Sequence, residues 1–159
     1  MIKLCKINAR NIGKVVALSV YDEQKEFVAS NTESILEAYV TITSGNIALP
    51  FAIYADETLI GFVMFGYSSV GDADEPEIAG GNYTIWRFMI DKEYQGKGYG
   101  RAALMAALDY IHTMPCGRAD YCWLSYEPDN CVAKELYKSI GFSENGEMDG
   151  NEVVAILKL

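Results

Sequence analysis

Six consecutive residues, Gln95-Gly96-Lys97-Gly98-Tyr99-Gly100, alternate glycine with larger side chains just ahead of a helical stretch. Glycine lets the backbone approach a ligand closely and adopts conformations that other residues resist. Where such a turn leads into a helix, several backbone N–H groups and the positive end of the helix dipole meet at one place, which is chemistry for holding an anion. The spacing excludes two nucleotide cradles: GxxxxGK[ST] is absent, and Gly96, Gly98 and Gly100 do not fit GxGxxG. On their own the six residues fit a tight structural turn equally well.

Other reactive side chains are sparse. Asp72, Asp74, Glu75 and Glu77 put four carboxylates into six positions with no base among them, suited either to spaced ammonium groups or to a solvated loop. Cys5, Cys116, Cys122 and Cys131 form no CxxC pair, and the single His112 cannot complete a usual zinc set, so free thiols and no metal are expected. The formal charge of −9 argues against nucleic acid as a partner, since phosphate backbones need clustered Lys and Arg, while the same field would attract a cationic substrate.

The elements that must position these groups follow from hydrophobic period. The chain's 159 residues suit one domain, 1–159, able to bury a core without disulfides. Ile2 to Ile7 reads as a strand, and Ile12, Val15, Val16 and Val20 fall at helical spacing. Ser30 with Glu33 has the form of a capping box, and Ile35, Leu36, Tyr39 and Val40 then give a second helix its apolar face. After Pro50, Phe51 to Tyr54 and Leu59 to Tyr67 flank the turn residues Asp56-Glu57 as a hairpin. Ser68 to Asn82 reads as a loop. Tyr83 to Ile90 is apolar enough for a strand covered on both faces.

Beyond the glycine turn, Leu104, Leu108 and Ile111 define a helix that stops before Pro115, and Tyr121 to Tyr126 returns to strand. A further helix runs from about Cys131 to Ile140 and ends at Gly141, and Ser143 to Leu159 closes as a hairpin around Asp149-Gly150. No leader of basic, apolar and small residues opens the chain, and no apolar run nears the roughly 20 residues a span needs. A cytoplasmic location without membrane contact is the expectation.

Gln95 to Gly100 matches the Q/R-x-x-G-x-G/A turn of the GNAT acetyltransferase superfamily, and it follows Arg87-Phe88-Met89-Ile90-Asp91 as that family's turn follows its strand. Asn130, Ala133, Leu136, Tyr137, Gly141 and Phe142 match a second motif, N-x-x-A-x-x-L-Y-x-x-x-G-F. With both motifs in order, the whole chain resembles this superfamily. The resemblance implies an α/β fold: a central mixed sheet of six to seven strands, splayed in the middle and flanked by about four helices.

The resemblance also implies chemistry. Amides from Gly96 to Arg101, including those of Lys97, Gly98, Tyr99 and Gly100, would cradle the pyrophosphate of acetyl-CoA next to Gln95, with charge from the Lys97 and Arg101 side chains. Phe88, Met89 and Ile90 would pair through their backbone with the pantetheine arm and hold the thioester oxyanion, and Asn130 and Ala133 would complete the site. An amine would attack the thioester directly, with Tyr137 as general acid for the leaving thiolate, because a phenol of pKa about 10 keeps its proton at neutral pH. The ammonium form of the amine lies about three pKa units above neutrality, so a base or water chain is required. Several family members carry a glutamate on the strand before the turn. This chain has Thr84, Ile85 and Trp86 there, which leaves Glu75, Glu77 and Glu127 as the acids to weigh.

Within the superfamily the chain is most similar to bacterial spermine/spermidine acetyltransferases, through Phe51-Ala52-Ile53-Tyr54, Ile60-Gly61-Phe62, Trp86 to Asp91 and Gly141-Phe142 to Gly146-Glu147. That implies a polyamine acceptor and a homodimer through the C-terminal strands. Glu26, Phe27 and Tyr39 lie on the segment that lines the acceptor site in such proteins, and Trp86 offers a cation–π face. Another small amine, an antibiotic, a protein amine, or a non-catalytic acyl-CoA-binding module also fits the same scaffold.

Overall fold

Aromatic and β-branched runs become seven strands of one sheet, and the stretches of helical period cover its two faces. The computed structural model describes residues 1–69 and 74–159. In chain order these are β1 (Ile2–Lys6), α1 (Ile12–Ala17), α2 (Asn31–Thr43), β2 (Ala48–Ala55), β3 (Thr58–Tyr67), β4 (Tyr83–Ile90), α3 (Tyr99–His112), β5 (Tyr121–Tyr126), α4 (Cys131–Ile140), β6 (Ser143–Asp149) and β7 (Glu152–Lys158). The sheet order is β1-β2-β3-β4-β5-β7-β6. Among the described residues no helix is long and apolar enough to cross a membrane.

Neighbouring strands are antiparallel except β4 and β5. These two run parallel and pair only at Tyr83↔Cys122 and Thr84↔Trp123, after which they part. The sheet is therefore mixed, seven-stranded and splayed at its middle, with four α-helices, as the resemblance implied. A bulge helps to set the splay: Arg87 stands opposite Met64 and Ile85 opposite Phe65, so Trp86 is the extra residue. It re-phases β4, so that Tyr83 and Ile85 before it and Phe88 and Ile90 after it pack into one apolar layer.

That layer is completed by α3, whose Leu104, Ala107, Leu108 and Ile111 are buried against Ile53, Phe65 and Leu124. Truncating Leu104 or Ile111 to Ala at such positions removes about 2–5 kcal/mol. On the opposite face Val15 and Ala38 meet Ala52, Phe62, Met64 and Met89. Trp123, Val154 and Ala79 form a small third cluster beneath the 3-10 turn Glu77–Ala79.

Several details differ from the periodicity reading. The first helix stops at Ala17, because Leu18 is extended, so Val20 is buried from outside it. Strand β2 starts at Ala48 and contains Pro50, which pairs with Met64 of β3 and lies beyond the stretch Phe51 to Ala55 that β1 covers. At α2 the Ser30 side chain accepts from the Glu33 N–H at 3.2 Å, which is one half of the expected capping box.

Of the four residues of the expected apolar face of α2, Ile35 packs against the core and the other three point outward. Leu36, Tyr39 and Val40 are 61%, 67% and 60% exposed, whereas Asn31, Ser34 and Ala38 are buried. Small side chains let this helix lie close to the sheet, and Ser34 satisfies its own hydroxyl by donating to the Ser30 carbonyl at 2.9 Å.

Candidate active site

Where β4 leaves β5, its far edge has no strand partner, and the opening widens into a cleft of about 1270 Å³. Its walls include the segment between α1 and α2, the exposed edge of β4 with the glycine turn, the β5–α4 junction with the β6–β7 turn, and Asp74 and Glu75 from the connection between β3 and β4.

The glycine turn closes one end. Gly96 and Gly98 have φ of 73° and 81°, in the left-handed region where a side chain is strained. Gly98 is the N-cap of α3 and has no side chain to cap it; the first N–H to find a carbonyl is that of Ala102, which donates to Gly98. The backbone N–H groups of Gly96, Lys97 and Gly98 have no acceptor among the described residues. With the helix dipole behind them they form an anion cradle made of backbone.

The two cations expected to assist are engaged elsewhere. Lys97 Nζ donates to the Glu93 carbonyl at 2.8 Å and lies 5.5 Å from the Tyr94 ring, and Arg101 donates to the Ser139 carbonyl and hydroxyl at 3.0 and 2.8 Å. Gly100 lines the cleft, and a Cβ there would meet only Leu136 at 3.7 Å. Tyr99 packs edge-on to Tyr94.

The turn is positioned by long-range polar contacts. Asp91, which is 8% exposed, accepts from the Ser19 and Glu93 N–H groups at 2.8 and 2.9 Å. Gln95 donates to the Ile90 carbonyl and exchanges amide hydrogen bonds with Gln24, so the N-terminal segment is stitched to the turn. Asn31, also buried, donates to the Val15 carbonyl at 2.8 Å and contacts the Met89 sulfur at 3.8 Å. Gln24 and Asn31 carried no motif and were missed from sequence.

Phe88, Met89 and Ile90 line the splay. Across it, Asn130 caps α4 by accepting from the Ala133 N–H at 3.2 Å, the geometry that its N-x-x-A spacing requires. One turn further, Tyr137 lies between the rings of Tyr126 and Phe142, at 5.8 and 6.0 Å. Its hydroxyl has no hydrogen-bond partner among the described residues. Burial, together with the nearby charge of Glu152, pushes the phenol well above its ordinary pKa, so it keeps its proton at any physiological pH.

Of the acceptor residues expected from sequence, Glu26, Phe27, Glu75 and Trp86 line the cleft. Tyr39 does not, being on the outer face of α2, and neither does Glu77. Glu127 is half-buried beside the wall, where its charge acts on Glu152. Asp72 lies outside the described residues. One face of Trp86 is met by Arg87, whose guanidinium carbon is 5.5 Å from the ring and which pairs with Glu37 of α2 at 2.9 Å. Two buried donors of the cleft wall, Arg87 Nε and Trp123 Nε1, have no acceptor among the described residues.

Sequence reading also passed over Ser125, Asp149 and Glu152. Ser125 Oγ is 2.9 Å from Asp149 Oδ2 and 2.5 Å from Glu152 Oε2, and all three line the cleft. Burial raises the Glu152 pKa, helped by the charges of Asp149 and Glu127; the Ser125 hydrogen bond and Arg87 oppose the shift. Period-2 alternation along β7 was the available signal, since Glu152 shares a face with Val154 and Ile156. The four cysteines are unpaired, and none lines the cleft. Among the described residues no three His, Cys, Asp or Glu side chains gather as a metal set.

Two Bacillus proteins are similar over 112 residues, or 69% of this chain and 68% of theirs. The "Probable spermine N(1)-acetyltransferase" of Bacillus subtilis subsp. natto is 36% identical, and the spermine/spermidine N(1)-acetyltransferase of Bacillus subtilis strain 168 is 35% identical. In fold the chain is similar to aminoglycoside acetyltransferase AAC(6')-Ib solved with coenzyme A, with a TM-score of 0.77 over 99% of this chain and 95% of that one, at 16% identity. The sequence model of the acetyltransferase (GNAT) family matches residues 17–142, and with the splayed strands and the backbone cradle in place the chain belongs to that family.

Proposed function

We propose that the chain moves an acetyl group from acetyl-CoA to a primary amine of the polyamine class, such as spermidine or spermine, with Tyr137 as general acid. The observation that carries this reading is the unbonded phenol of Tyr137 in the cleft that opens where β4 parts from β5. The pyrophosphate fits the unpaired N–H groups of Gly96 to Gly98, and the free edge of β4 at Phe88 to Ile90 fits the amides of a pantetheine arm. A backbone N–H on that edge would also stabilise the thioester oxygen as it gains charge.

A free thiol, with pKa near 8.5, is a stronger acid than an ordinary phenol by about 1.5 units, and burial of Tyr137 widens that gap, so full transfer to a free thiolate is uphill by more than about 2 kcal/mol. The transfer becomes favourable once coupled to collapse of the tetrahedral intermediate, whose protonated nitrogen is far more acidic and returns a proton to the phenolate. No covalent enzyme intermediate is needed.

The polyamine part rests on the names of the Bacillus relatives and on charge. Glu26, Glu33, Asp74, Glu75, Asp149 and Glu152 line the cleft against only two cations, Lys25 and Arg87, and Arg87 is paired with Glu37. Spaced ammonium groups complement such a wall. The test is a thiol-release assay with acetyl-CoA and a panel holding spermidine, spermine, an aminoglycoside and a peptide N-terminus. Selective turnover of the polyamines is expected; turnover of another class alone overturns the acceptor, and no turnover of any amine overturns the reaction.

A further inference from the structure

This inference rests on the acetyl-transfer reading and concerns the step it leaves open, removal of the ammonium proton. β4 carries no carboxylate between Tyr83 and Ile90. Of the three acids singled out from sequence, Glu77 and Glu127 do not line the cleft, and Glu75, which does, lies on the connection between β3 and β4 rather than on the strands that flank the splay.

Ser125 on β5 stands between Asp149 and Glu152, in hydrogen-bond reach of both. One hydroxyl owns one proton and can donate to one carboxylate at a time. The second contact is a hydrogen bond only when a carboxyl itself carries a proton. With both acids ionised the trio is one proton short, and it lines the cleft that Tyr137 also lines. Two residues before Ser125, on the same face of β5, Trp123 is 4% exposed and its indole N–H has no acceptor among the described residues. This wall thus holds polar groups that the protein's own atoms leave unsatisfied.

We propose that Glu152, held by Ser125 beside Asp149, takes the proton from the ammonium group of the incoming amine. The proton passes from nitrogen to the Glu152 carboxylate, leaving a neutral amine and a carboxyl that hydrogen-bonds Ser125. The nitrogen lone pair then attacks the thioester carbon and the C–S bond breaks. The thiolate takes the Tyr137 proton, and the second proton on nitrogen restores the phenol. Glu152 gives its proton to water, so acetyl-CoA and ammonium become amide, thiol and one released proton. The charged and titratable groups that face Glu152 are Asp149 from β6, Glu127 after β5, Arg87 from β4 and Tyr137 from α4.

The test is kcat/KM for spermidine from pH 6 to 10, with coenzyme A affinity measured by calorimetry. Glu152→Gln is expected to lower kcat/KM by about 100-fold at pH 7, with the gap closing toward pH 10 as the amine loses its own proton, while coenzyme A affinity stays within twofold. Glu152→Asp restores part of the rate. A Glu152→Gln rate within threefold of wild type at pH 7, or a gap of constant size at every pH, overturns the assignment. Should Glu152→Gln not fold, Asp149→Asn carries the test: removing a like charge moves the acidic limb of the profile to lower pH, and an unmoved limb overturns the proposal. Wild-type protein that binds coenzyme A but acetylates no amine overturns the acetyl-transfer reading itself.

Discussion

Gln24 and Gln95 join their side-chain amides face to face, Nε2 to Oε1 in both directions at 3.0 and 2.9 Å, across 71 residues of sequence. Gln95 also donates to the Ile90 carbonyl, so one side chain ties the end of β4, the glycine turn and the N-terminal segment together. Gln95→Ala therefore loosens the glycine turn and the segment between α1 and α2 at once. At about 1 kcal/mol per lost hydrogen bond, it should lower unfolding free energy by about 1–3 kcal/mol and raise KM for acetyl-CoA. A double-mutant cycle with Gln24→Ala, read by urea unfolding, should give a coupling of about 0.5–1.5 kcal/mol; strict additivity contradicts the stitch.

Tyr137→Phe removes a hydroxyl that has no hydrogen-bond partner among the described residues and leaves its ring between Tyr126 and Phe142. Stability should be unchanged or slightly higher. The rate kcat should fall by about 100-fold or more, while coenzyme A affinity holds within twofold. Wild-type turnover with a saturating amine removes Tyr137 from the chemistry.

Glu152 makes a stability prediction independent of activity. Its folded pKa is raised, chiefly by burial, so the native state binds this proton more tightly than the unfolded chain does. The sign is that of a group whose contribution is fully present below the unfolded value of about 4.3 and is lost as pH rises through the folded value. Glu152→Gln should hence raise Tm at pH 7 and give no comparable gain at pH 4. Calorimetry at the two pH values checks this, and an equal change at both contradicts the shift.

Glycines of the turn should respond in opposite directions. Gly98, at φ 81°, loses about 1 kcal/mol on substitution by Ala because the left-handed conformation is strained for a side chain. Gly100 lies within α3, where Ala is the better helix former by up to about 1 kcal/mol and the new methyl meets only Leu136 at 3.7 Å. Chemical denaturation of Gly98→Ala and Gly100→Ala should move the midpoints apart, down for the first and up for the second.

Local features were legible in advance. The helix from about Cys131 to Ile140 ends where it was expected to, because Gly141 adopts the left-handed conformation that closes a helix. The strand at Tyr83 to Ile90 and the hairpin at Asp149-Gly150 also lie where period and turn chemistry put them. The failures have physical causes. Helix α2 turns Leu36, Tyr39 and Val40 outward, since the close approach of Ala38 and Ser34 to the sheet outweighs the pull of the larger apolar side chains. The partners of Lys97 and Arg101 were not legible either, because their long side chains reach the Glu93 carbonyl and Ser139 only once the chain has folded.

By itself the sequence determined the pieces whose geometry is local: the positive-φ glycines before α3 and the helix that presents Tyr137. Only the tertiary structure decided which carboxylates meet at that tyrosine. Ser125 and Glu152 are 27 residues apart, and they come within hydrogen-bond reach because β7 inserts between β5 and β6, aligning Tyr126 with Val153. Strand order and register are properties of the whole sheet. No window of sequence short enough to show a motif contains them.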